Sequence, residues 1–131
     1  MLVLHAKLAG TMLLRILCLI ILFVSFQAQA EPASMEDYTT CAVYHRMLAS
    51  AFKRDGELQI MAELEIEKMN SFISRAKTAG TEEYGQDLVE QLFQDDWNAI
   101  LSDMTDQINR SYENVSRLKV RYKSRCAALM Q

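Results

Sequence analysis

Apolar residues recur at spacings of three and four through most of residues 31–131. Tyr38, Cys41, His45, Leu48 and Phe52 form one face of an amphipathic helix. Ser34, with Asp37 three residues on, marks its start, and the acids Glu36 and Asp37 suit a helix N-terminus. Asp55-Gly56 marks its end. A second stripe, Leu58, Ala62, Ile66, Met69, Ile73 and Ala76, predicts a helix from about Glu57 to Ala79, with Met61, Leu64 and Phe72 broadening its buried face. Gly80 is expected to cap that helix and Thr81 to open the next. The same period then runs from Leu88 through Trp97 and Met104 to Ile108, Tyr112, Leu118, Tyr122, Cys126 and Leu129.

The first thirty residues follow a different pattern. Lys7 and Arg15 precede an apolar run from Ile16 to Phe26, and Ala28-Gln29-Ala30 follows. That is the layout of a secretory signal peptide over residues 1–30, cleaved before Glu31, with Met12 as an alternative start. The run is too short for a membrane span, which takes roughly 20 apolar residues, so no stable span is expected after cleavage. The expected location is periplasmic or secreted.

Cleavage changes the cysteine count. Cys18 leaves with the signal, and Cys41 and Cys126 remain near the two ends of the mature chain. In an exported protein such a pair is expected to form a disulfide. It also decides how residues 82–130 are folded. One unbroken helix there would be roughly 70 Å long at 1.5 Å per residue. It would also carry Cys126 away from Cys41, whereas bridged Cα atoms lie within about 7 Å. A fourth helix brings the chain end back beside the start. The break is expected near Ser102–Asn109, where Asp103, Thr105, Asp106 and Asn109 are capable caps. The expected fold is therefore all-α: a small antiparallel four-helix bundle, one domain over residues 31–131, with one disulfide.

Charge agrees with a turn near residue 105. Residues 82–106 carry eight acids and no base, and residues 107–131 carry six bases against Glu113 alone. Adjacent helices with these charges would complement one another. The mature chain has 12 basic and 17 acidic residues, a net charge of −5. That balance speaks against nucleic acid as a partner.

Few residues suggest chemistry. His45 is the one histidine left after cleavage, a turn from Cys41 on the apolar face. Paired with Met130 it would suit a haem or metal carrier, but a structural metal site normally takes four ligands. A core histidine is the simpler reading, and no cofactor or metal is expected. Arg117, Arg121 and Arg125 edge the last stripe on one side, with Lys119 and Lys123 on the other. The arginines are a candidate partner-binding strip, and the simpler reading is a solvated flank. Trp97 is a candidate interface anchor, with a core role the better reading. Carboxylates such as Glu63 and Glu67 read as solvated surface, and Asn114-Val115-Ser116 matches a glycosylation sequon placed mid-helix. No phosphate loop or nucleophile elbow is present.

The resulting expectation is an exported helical protein that acts by protein–protein interaction, as an inhibitor, immunity-type protein, envelope adaptor or stress chaperone. The alternative is a carrier of a small ligand, haem or metal near His45. An enzyme comes third, because no motif supports catalysis.

Overall fold

The computed structural model of the chain describes residues 31–56 and 58–131. The signal-peptide reading of residues 1–30 lies outside the described residues. Residues from Ala33 onward form one compact unit. It contains four α-helices and no strands among the described residues: α1 (Met35–Arg54), α2 (Gln59–Tyr84), α3 (Val89–Gln107) and α4 (Ser116–Leu129). A 3-10 turn, Tyr112–Asn114, precedes α4. None of the described helices is long and apolar enough to cross a membrane.

Ser34 begins α1 with a reciprocal capping box. Its hydroxyl accepts from the Asp37 amide at 3.1 Å, while the Asp37 carboxylate accepts from the Ser34 amide at 2.9 Å. The amides at a helix start have no partner inside the helix, so the side chains supply one. Glu83, at the far end of α2, takes the Met35 amide at 2.9 Å. This contact sets α1 and α2 antiparallel.

The second helix is longer than its pattern predicts. It passes through Gly80 and Thr81 and ends at Tyr84, with Gly85 at φ +87° as its cap. Gly80 is instead a close-packing position. A Cβ there would press on the Met35 side chain and stand 2.8 Å from Val89 Cγ2. The start of α1, the end of α2 and the start of α3 converge on this point. Around it Met35, Ala76, Val89 and Phe93 form a small cluster of buried side chains. Thr81 bonds back to the Lys77 carbonyl at 2.8 Å, inside the helix, and does not cap α3.

The break before α4 falls at the C-terminal edge of the expected window. Asn109 and Arg110 both adopt left-handed backbone, at φ 52° and 56°. Asparagine enters that region readily; arginine enters it at a cost of about 1 kcal/mol or more. Ile108, fully buried beside them, anchors the turn. The Asn114 side-chain amide donates to the Ile108 carbonyl at 3.0 Å, so the sequon asparagine lies in the 3-10 turn and not mid-helix.

Cys41 and Cys126 are bridged, with Cα atoms 5.4 Å apart. Leu118, Tyr122 and Cys126 are the buried face of α4, packed into the main core with Tyr44, Met47, Phe72 and Met104. The expected pairing of an acidic third with a basic fourth helix takes another form. Arg125 pairs with Asp37 on α1, and Lys77 on α2 pairs with Glu90 on α3 at 2.7 Å. Among the described residues only Arg110–Asp106 joins the two oppositely charged segments, at 3.4 Å and within one turn. The acidic outer face of α3 is therefore solvated.

Candidate functional site: a groove between α1, α2 and α4

Near the middle of α1 the chain buries a charge. Glu65 is 5% exposed, on the face of α2 that also carries Ala62, Phe72 and Ala76. Burying a carboxylate is costly unless it is hydrogen-bonded. Both oxygens of Glu65 are engaged: Oε2 lies 2.5 Å from His45 Nδ1, and Oε1 accepts from Lys68 Nζ at 2.8 Å. The imidazole of His45 also stacks on Phe72, with ring centroids 5.5 Å apart and planes 11° from parallel.

These contacts set the protonation states. Burial pushes the Glu65 pKa up, but the hydrogen bonds from Lys68 and His45 outweigh burial and hold it below its ordinary value. Burial is the largest influence on His45 and exceeds the pull of Glu65, so its pKa falls. The pair is thus a neutral imidazole donating its Nδ1 proton to a carboxylate. With Nδ1 committed, Nε2 carries the ring's lone pair. The Tyr44 hydroxyl is pushed up to about 12, by burial and then by the Glu65 charge, and stays protonated.

The pair lies at the floor of a groove of about 540 Å³. Tyr44, His45 and Leu48 of α1, all buried, form that floor, and Phe52 extends it. Met61 and Lys68 stand on the α2 side; Lys119, Lys123, Ala127 and Met130 stand on the α4 side and just beyond it. The lining is apolar apart from a few polar groups. Exposed Met61, Leu64 and Ile60 continue the apolar surface along α2. Ties besides the core hold α4, among them the disulfide, Gln107 Nε2 to Tyr122 Oη at 2.9 Å, the Arg125–Asp37 pair, and Arg75. Arg75 Nη1 donates to the Leu129 carbonyl at 2.6 Å, satisfying the end of α4 from α2.

The structure brings His45 and Met130 to the same groove. It does not bring the arginines there. Arg125 is committed to Asp37, Arg121 lies 5.7 Å from the Tyr122 ring centroid, and Arg117 reaches the Gln107 carbonyl at 3.4 Å. Trp97 is half-buried between the two core clusters, with the Arg46 guanidinium 5.7 Å from its ring centroid. Lys119 and Lys123, on the opposite edge of α4, are the cations of that helix that face the groove. Among the described residues no group of three or more His, Cys, Asp or Glu side chains is placed to hold a metal ion.

No protein-family model, curated protein or solved structure matches this chain.

Proposed function

We propose that this chain is an exported binding protein that holds a small, largely apolar ligand in the groove beside His45. The observation that carries this reading is the groove itself. Its 540 Å³ volume falls within the roughly 300–1,000 Å³ of typical ligand sites, which are apolar clefts with a few placed polar groups, often between helices of a bundle. A protein partner stands first on sequence grounds; the concave floor, with helices on both sides, favours a small ligand over a flat protein surface.

The His45–Glu65 pair also resembles the base and its orienting carboxylate in hydrolytic sites. Among the described residues, however, the groove lining has no serine, threonine or cysteine for the imidazole to activate. Binding is the better reading. Haem is the version of it in which Met130 becomes a ligand, and a Soret band in the purified protein is its signature.

A titration of the disulfide-bonded protein with an environment-sensitive naphthalene dye tests the proposal. Saturable one-to-one binding is expected, at least tenfold weaker in Ala127→Trp, which fills the groove from an exposed position. Absence of saturable binding in the unsubstituted protein would overturn it.

A further inference from the structure

The charge around the groove says what kind of ligand fits it. Resting on the binding reading above, we infer that the groove takes a single-chain anionic amphiphile: an alkyl chain ending in a carboxylate or phosphate group.

Three observations lead to this class. First, the groove is cationic in a chain that is acidic overall. Lys68, Lys119 and Lys123 line it against one carboxylate, Glu65, in a protein of formal charge −3. The Glu65 charge is also directed away from a ligand, because both its oxygens are held by His45 and Lys68.

Second, the lysines stand on facing sides of the opening, above an apolar floor. Lys68 rises from α2, with its side chain 42% exposed, and exposed Lys119 and Lys123 rise one turn apart from α4. Lys119 Nζ lies over the Phe52 ring, 5.3 Å from its centroid, so its ammonium sits beside the apolar surface in a cation–π contact. Neither Lys119 nor Lys123 has an ion-pair partner among the described residues. By contrast, Arg125 on the far edge of the same helix is paired. The α4 lysines are thus available to an incoming anion.

Third, the floor suits a chain below such a headgroup. Leu48, Phe52, Met61 and Met130 provide the apolar contact, and methionine adapts to irregular ligand shapes. The protonated Tyr44 hydroxyl and neutral His45 add no charge to the floor. A cationic headgroup would meet two unpaired ammonium groups, Lys119 and Lys123, beside the paired Lys68. A neutral chain would leave the two unpaired lysines unused.

The test compares four twelve-carbon ligands, each below its micelle concentration, in displacing the naphthalene dye from the full disulfide-bonded protein. Dodecanoate and dodecyl phosphate carry the proposed headgroups, dodecanol is neutral, and dodecyltrimethylammonium is cationic. The anions are expected to bind at least tenfold more tightly than the cation, with the gap narrowing as salt rises. In Lys119→Gln/Lys123→Gln, anion affinity should fall at least fivefold while dodecanol affinity changes less than twofold. These lysines are exposed, so the variant retains the fold, which circular dichroism checks. Whichever anion binds more tightly identifies the headgroup. Dye binding with equal affinity for anion and cation overturns this inference and leaves the binding reading standing. Loss of all binding, dye included, overturns the binding reading itself.

Discussion

The Nδ1 proton of His45 joins it to the carboxylate of Glu65 across 2.5 Å, and neither side chain is more than a tenth exposed. A buried hydrogen bond to a charged group contributes about 1.5–3 kcal/mol. Glu65→Leu should therefore lower stability by about 2–3 kcal/mol, because it strands the imidazole donor. Glu65→Gln keeps an acceptor for His45 and should lose about half as much. Urea unfolding of the three proteins, with midpoints compared at constant m, gives the ordering. Equal stability of Glu65→Leu and the parent would mean that the pair contributes nothing.

The same pair makes stability depend on pH. The His45 pKa is lowered from 6.5 by burial, so the unfolded chain takes up a proton there before the folded chain does. Folding therefore loses stability as pH falls through about 6.5 toward the lower folded value. The Glu65 pKa is lowered from 4.5 by its hydrogen bonds, which outweigh burial, and a second loss follows below that value. Asp37, held low by Ser34 and Arg125 against burial, adds to the second loss. Groups near the imidazole include Tyr44 on α1, Lys68 on α2, and Lys119 and Lys123 across the groove. Thermal unfolding measured from pH 8 to about pH 2 should show both stages, and His45→Phe should remove the upper one.

Gly80→Ala should destabilise the protein although alanine is the better helix former. Alanine gains up to about 1 kcal/mol in helix propensity at an interior position. Here its Cβ would press on Met35 and meet Val89 Cγ2 at 2.8 Å, and overpacking of a core costs typically 1–3 kcal/mol. A net loss of about 1 kcal/mol is expected by calorimetry. The double change Gly80→Ala/Val89→Ala should partly restore stability.

Removing the bridge in Cys41→Ala/Cys126→Ala should cost about 4.5 kcal/mol for a sequence separation of 85 residues in the chain-entropy treatment. The loss should be greatest in α4, the shortest helix, with three buried side chains. Amide exchange in residues 116–129 should accelerate more than in α1 or α2.

The helical stripes made the number and order of the helices readable, and the separation of Cys41 from Cys126 required the fourth. The role of Gly80 is not legible locally, because it is set by packing against Met35, distant in sequence, and against Val89 across the turn into α3. Glu65 was missed because its neighbours Glu63 and Glu67 are solvated and a carboxylate reads as surface. The signal was present, since Glu65 falls on the Ala62–Phe72–Ala76 face and His45 needed a buried partner. Met61 and Leu64, expected in the core, are 42% and 44% exposed, and Met61 lines the groove. Which edge of α4 faces the groove depends on how α4 sits against α1 and α2. Periodicity leaves Arg117, Arg121 and Arg125 as good a choice there as Lys119 and Lys123.

The bridge also joins two sides of the groove. Cys41 is one turn from Tyr44 and His45 on the floor, and Cys126 adjoins Ala127 on the α4 side. The bridge therefore links the floor of the groove directly to its α4 side. Without it, α4 keeps its core packing and its ties to Arg75, Gln107 and Asp37. On the binding reading proposed above, reduction of the bridge is expected to weaken ligand affinity, because one side of the groove is then less firmly held.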